Sequence, residues 1–167
     1  MTKQHSELVF LGLGANLNAP LEQIRKATNA LSEHAEINLV ASSSLCGSKP
    51  MGPQDQPDYV NSVVAIETNL SALALLDITQ KIELDFGRVR KENRWGPRTL
   101  DIDIILFKDQ KIDNERLTVP HYGMKIREFV LYPLHEVAPE LCLPCGTELT
   151  ELLKTIDKNG LTIFATS

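Results

Sequence analysis

The sequence predicts an α+β fold, with a βαββαβ core, an antiparallel sheet with helices packed on it, and C-terminal helices and short extra strands. Three observations predict it. Strand-like and helix-like apolar patterns follow one another as strand, helix, strand, strand, helix, strand. The 167 residues suit a single domain spanning 1–167. A hydrophobic share of 43% can fill one core.

Leu8 to Leu13 reads as a first strand, buried on both faces. Gly14 to Asn18 is a loop. Pro20 suits a first helical turn, where its missing N–H costs nothing. Leu21, Ile24, Ala27, Ala30 and Leu31 recur at helical spacing, so a helix runs to about Glu33. Ile37 to Ser44 is a second strand. Ser42 to Asp58 is rich in Ser, Gly and Pro and reads as a long loop, of the kind that is usually functional. Tyr59 to Glu67 is a third strand.

Ser71 caps a second helix with an apolar face of Leu73, Leu76, Ile78, Ile82 and Phe86. Gly87 ends it, an Arg-rich loop follows, and Leu100 to Phe107 is the fourth strand. That order is the ferredoxin-like split βαβ pattern. Beyond it come a short strand near Lys111 to Asp113, a helix near Lys125 to Tyr132, a capping helix from Glu148 to Ile156, and an edge strand from Leu161 to Ala165.

Net charge is −5, so no global basic field attracts nucleic acid. No apolar run reaches the roughly 18–20 residues of a membrane helix. The polar start, Met1 to Glu7, lacks the regions of a signal peptide, which predicts a cytoplasmic protein without a membrane partner. Cys46, Cys142 and Cys145 are an odd count in a chain without an export signal, which argues against a disulfide framework. Cys142 and Cys145 form a C-x-x-C that supplies only half of a structural zinc site and lacks the strand-to-helix context of a redox motif. Two reduced thiols in a turn is the plainer reading of that pair.

The chemistry concentrates between Arg88 and Asp103. Arg88, Arg90, Lys91, Arg94 and Arg98, with the only tryptophan, Trp95, precede a strand carrying Asp101 and Asp103. Guanidinium groups grip phosphate oxygens in pairs. Residues two apart on a strand share a face, so the two carboxylates lie side by side, on the face away from the helix-covered core. Two such anions repel unless a cation sits between them, and Mg²⁺ suits an all-oxygen site completed by phosphates and water. The plainer alternative is the solvated face of an amphipathic strand. Gly87 and Gly96 would let the basic loop close over a phosphate chain and exclude water. Arg116, Thr118, His121, Tyr122, Lys125 and Arg127 form a second polar cluster. Tyr59 and Phe129 are candidates for stacking a flat heterocycle, and the amide of Asn61, two residues after Tyr59, matches the edge of a pterin or purine. No P-loop or dinucleotide fingerprint is present, so a nucleotide would be held by side chains and metal.

Four stretches carry a resemblance to a known family: Gly12 to Leu17 (GLGANL), Gly52 to Asn61 (GPQDQPDYVN), Gly87 to Ile104 with its RWGPRTLDIDI, and Arg116 to Tyr122 (RLTVPHY). Together they resemble the 6-hydroxymethyl-7,8-dihydropterin pyrophosphokinases of folate biosynthesis. The resemblance implies transfer of pyrophosphate from MgATP to the pterin's hydroxymethyl group with release of AMP, two Mg²⁺ ions, and ATP binding ahead of the pterin. It implies Asp101 and Asp103 as metal ligands. Arg88, Trp95 and Arg98, in a closing loop, join them as catalytic residues. Gln80, Glu83, Arg90, Trp95, Arg98, Ile104, Arg116, Thr118, His121, Tyr122 and Arg127 would contact ATP. Ser48, Pro50, Met51, Tyr59, Asn61, Trp95 and Phe129 would hold the pterin, with Tyr59 and Phe129 sandwiching its ring. The substrates would be the only partners, and the protein a monomer. The chain departs from the family pattern at Ala15, at Ser48 to Met51, at Gly123 and at Ile126. Lys49 in place of a common proline loosens the loop beside the pterin. A ferredoxin-like RNA-binding module is the competing reading, but no run of closely spaced aromatics supports it.

Overall fold

The computed structural model describes residues 8–15, 20–48, 59–85, 100–108, 110–119, 128–139, 141, 148–156 and 162–165. The core elements are β1 (Val9–Ala15), α1 (Pro20–Glu33), β2 (Ile37–Ser42), β3 (Leu45–Ser48), β4 (Tyr59–Thr68), α2 (Ala72–Asp85) and β5 (Asp101–Phe107). A small hairpin of β6 (Ile112–Asp113) and β7 (Thr118–Val119) follows, then α3 (Glu128–Val137), α4 (Leu149–Leu153) and β8 (Thr162–Ala165).

The main sheet is antiparallel and runs β5-β1-β4-β3-β8, with β2 also paired to β4. The expected βαββαβ order is therefore present, with its first strand central. β3 lies inside the stretch that reads as loop in the sequence. Ser43 explains the break before it. Its N–H donates to the Val63 carbonyl at 2.8 Å, and its Oγ accepts from the Val63 N–H at 2.9 Å. A side chain thus replaces one rung of the ladder, and the chain resumes pairing with β4 at Cys46. The C-terminal strand, expected at a sheet edge, pairs with β3.

Two cores form, one on each side of the sheet. Val9, Leu11, Leu13 and Ala15 of β1 face α1 and α2, together with Val60, Val64, Ile102 and Ile104. α1 presents Ile24, Ala27 and Leu31, as its period requires. Ser71 caps α2, accepting from the Ala74 N–H at 3.2 Å. The buried residues of α2 are Leu75, Leu76, Thr79, Ile82 and Glu83, whereas Leu73 is exposed. Of the predicted face, Leu76 and Ile82 are buried and Ile78 packs against the core, and Phe86 lies outside the described residues. The buried side also takes in Leu75 and two polar residues that a hydrophobic pattern skips, Thr79 and Glu83. Thr79 is satisfied within its own helix, by the Leu76 carbonyl at 2.9 Å.

The second face was expected to be open. Among the described residues, α3 and α4 cover much of it. Leu8, Phe10, Val63, Ala65, Ile105 and Leu106 are sealed by Val130, Leu131 and Leu134 of α3 and by Leu149 of α4. A β-bulge makes this possible. Leu11 pairs with Ile104 and Phe10 with Leu106, so Ile105 is the extra residue. Ile105 and Leu106 both point to the second core, and Phe107 returns to the first.

Candidate active site

The site grows from strand register. Gly14 of β1 pairs with Asp101 on one side and Asn61 on the other, and Asn61 pairs in turn with Cys46. Gly12 pairs with Asp103 and with Val63. Residues directly opposite across a ladder share a face. Asp101, Asp103, Asn61 and Cys46 therefore lie on one face. The glycines leave the strand between the carboxylates and the amide without side chains. A Cβ on Gly12 would stand 2.9 Å from Ile105 Cδ1, so this part of the face is closely built.

Asp101 is part-buried and Asp103 exposed, while Asn61 is buried. Among the described residues the cover of α3 begins at Ile105, the next residue on that face after Asp103. Phe129 lies in the first turn of α3, the helix that forms the roof. Among the described residues no group of three or more His, Cys, Asp or Glu gathers for a metal. The aspartate pair is thus a partial ligand set, of the kind Mg²⁺ completes with phosphate oxygens and water.

Glu83 is 4% exposed, and its Oε2 accepts from the Ile102 N–H at 2.8 Å. β5 ends the described sheet, so this bond lies on its outer edge. Ile104 keeps its side chain in the helix-covered core, and ladder alternation turns its backbone groups to the same edge as those of Ile102. Arg116 donates to Asp77 Oδ1 at 2.5 Å and to Gln80 Oε1 at 3.4 Å, which ties the β6–β7 hairpin to α2. Thr118 sits exposed on β7. Glu83 and Ile104 therefore share the outer edge of β5, and Gln80 and Arg116 meet on α2.

Ser48 and Tyr59 pair with each other across β3 and β4. Pro50, Met51, Arg88, Arg90, Trp95, Arg98, His121, Tyr122, Arg127, Cys142 and Cys145 lie outside the described residues. Sequence reasoning missed three features. Gly12 and Gly14 act as spacers, a role their alternation in GLGA could have signalled. Asp77 partners Arg116. Glu136 of α3 accepts from the Ser44 N–H at 2.9 Å and the Ser44 Oγ at 2.8 Å, which fixes the β2–β3 break under the roof. Burial pushes the Cys46 thiol above its ordinary range, and the nearby Glu136 carboxylate adds to that.

The family model for 7,8-dihydro-6-hydroxymethylpterin-pyrophosphokinase matches residues 10–139. A Haemophilus influenzae protein named 2-amino-4-hydroxy-6-hydroxymethyldihydropteridine pyrophosphokinase is 55% identical over 87% of this chain and 90% of its own. One of the same name from Pseudomonas aeruginosa is 54% identical over 92% of this chain and 94% of its own. Among solved structures, the Plasmodium falciparum HPPK-DHPS protein with pteroate superposes with a TM-score of 0.69 at 14% identity, over 89% of this chain. That likeness concerns the fold, and this chain spans 42% of the Plasmodium chain's length. The expected family is confirmed: the chain belongs to the 7,8-dihydro-6-hydroxymethylpterin-pyrophosphokinases.

Proposed function

We propose a division of labour for the reaction of this family, in which the pyrophosphoryl group of ATP passes to the hydroxymethyl group of 6-hydroxymethyl-7,8-dihydropterin in folate biosynthesis, with AMP released. The whole of 1–167 serves as one catalytic unit, a cytoplasmic monomer whose partners are its two small substrates. The described residues contain no helix long and apolar enough to cross a membrane.

One observation carries the assignment. Asp101, Asp103 and Asn61 share a face, joined through two glycines that put no side chain between them. The carboxylates fit Mg²⁺, because they are adjacent, all-oxygen and reachable from solvent at Asp103. Two Mg²⁺ ions held by Asp101 and Asp103 would neutralise the triphosphate and polarise the β-phosphorus. Asn61 reads the edge of the pterin, whose ring lies between Tyr59 and Phe129. Ser48, Pro50 and Met51 complete that subsite. Gln80, Glu83, Arg90, Ile104, Arg116, Thr118, His121, Tyr122 and Arg127 form the ATP side. Arg88, Trp95 and Arg98 close over the phosphates and exclude water. Positioning and charge neutralisation supply most of the rate in such transfers.

Calorimetry tests this reading. A non-hydrolysable ATP analogue should bind only with Mg²⁺, and 6-hydroxymethylpterin should bind more tightly after it. Equal nucleotide binding in the presence of a chelator would remove the metal role.

A further inference from the structure

We propose that Glu83 is a positioning residue that sets the spacing of the metal-binding aspartates by tethering the backbone between them. The inference rests on the metal reading above and deepens it. Ile102 stands between Asp101 and Asp103, and its N–H faces the outer edge of β5, where the described sheet offers no neighbouring strand. Glu83 Oε2 accepts that N–H at 2.8 Å. The carboxylate is 4% exposed and lies among Leu76, Thr79 and Ile82 on the buried side of α2. Burying a carboxylate is costly, and an apolar residue would pack there at less expense.

The geometry explains what the carboxylate does in return. On its inner side β5 is fixed through Asp101 and Asp103, which pair with Gly14 and Gly12. Glycine adds no side-chain packing to hold those rungs, and the strand has already slipped by one residue at Ile105. A charge-assisted bond to Ile102 from the opposite side clamps the strand at its midpoint. Both carboxylates then keep one orientation on their face of the sheet. Groups that hold metal ligands in place from behind typically govern metal affinity by about 10- to 100-fold.

The experiment compares wild type with Glu83→Leu and Glu83→Gln in two measurements. The first is amide hydrogen exchange at Ile102 by NMR, without ligands. The second is Mn²⁺ affinity by electron paramagnetic resonance, with a non-hydrolysable ATP analogue held at saturation for each variant, so that any direct loss of nucleotide affinity at Glu83 does not enter. Glu83→Leu should expose the Ile102 amide to exchange and weaken Mn²⁺ binding by about 10- to 100-fold. Glu83→Gln, which keeps an oxygen for the same bond, should recover most of both. Wild-type Mn²⁺ affinity in Glu83→Leu overturns the proposal. So does a Glu83→Gln protein that folds, retains Ile102 protection and still loses Mn²⁺ as badly as the leucine variant. If the leucine variant does not fold, the glutamine variant decides alone by the same two readings. Failure of the metal reading looks different: wild type itself would bind the nucleotide analogue without Mn²⁺, whatever the Ile102 amide does.

Discussion

Asp101 and Asn61 meet the same residue, Gly14, from opposite sides of β1. Two strand spacings, about 9.6 Å, therefore separate the carboxylate proposed to hold metal from the amide proposed to read the pterin. Gly14 holds that gap open. A Gly14→Val substitution fills it with a branched side chain that a strand accepts readily. Nucleotide and pterin affinity should both fall about tenfold or more, a loss of ~1.4 kcal/mol each, while the thermal midpoint moves by only a few degrees. Loss of one ligand with full retention of the other would show that the two subsites do not share this floor.

Removing the carboxylates separates chemistry from folding. Asp101→Ala and Asp103→Ala should each reduce AMP release by about 10³-fold or more, an effect of ~4 kcal/mol on the transition state. Both variants should still fold, because the two side chains stand on the face of β5 away from the helix-covered core. Urea denaturation and a steady-state assay on the same preparations check both halves. Normal turnover by either variant refutes the assignment.

Gly12 is constrained by a neighbour and not by its backbone. Its added methyl would meet Ile105 Cδ1 at 2.9 Å, and Ile105 is 1% exposed under α3. Gly12→Ala should cost about 1–2 kcal/mol, as overpacking does. Ile105→Val removes the colliding atom, at about 0.5–1.5 kcal/mol for the lost methyl group. The double variant should then be more stable than the sum of the two single losses predicts. Simple additivity in chemical denaturation would mean that the contact is not the source of the cost.

Lys108 closes β5 with φ of 54°. Its N–H bonds to the Leu8 carbonyl at 2.9 Å, so the turn is tied to the start of β1. Left-handed backbone is costly for L-residues by about 1–2 kcal/mol, most of all for β-branched ones, and costs glycine nothing. Lys108→Val should therefore unfold more easily than Lys108→Gly by about 1–2 kcal/mol. Both variants lose the ammonium that stands 5.3 Å from the Phe107 ring centroid, so that contact cancels in the comparison.

The strand–helix order and the aspartate pair were legible because they rest on local period. LDIDI alternates, and alternation fixes the face whatever the partners are. What the sequence concealed depends on partners far away. β3 hides behind Ser43 and Ser44, whose side chains look like loop chemistry until Val63 and Glu136 are placed opposite them. On α2, the buried Thr79 and Glu83 were hidden because an apolar pattern skips polar residues, and the acceptor role of Glu83 shows only once Ile102, on another element, is placed beside it. The roof over half of the second face comes from α3, and its extent depends on a one-residue bulge at Ile105 that no periodicity announces. Ser62 shows the converse limit. It faces the main core opposite Leu13, and its Oγ has no hydrogen-bond partner there, although strand alternation alone would not mark it as costly.

Cys46 should make the protein sensitive to alkali. The thiol is 3% exposed, and burial, then Glu136, raises it above the ordinary 9.0. In the unfolded chain the same thiol ionises near its ordinary value. Above that pH the unfolded state has lost a proton that the folded state still holds, so unfolding is favoured. The stabilisation is therefore complete below about pH 9 and disappears as pH rises through the folded value, with a slope no steeper than ~1.4 kcal/mol per pH unit for one group. Lysines and tyrosines titrate nearby in pH, so the informative quantity is a difference. Urea midpoints of wild type and Cys46→Ala, followed from pH 7.5 to 10.5, should diverge only above about pH 9, with wild type falling more steeply. Glu136→Gln removes the second cause and leaves burial in place, so its alkaline limb should lie between the two. Parallel curves for all three proteins would place the thiol in a more open environment than β3 and the α3 roof provide.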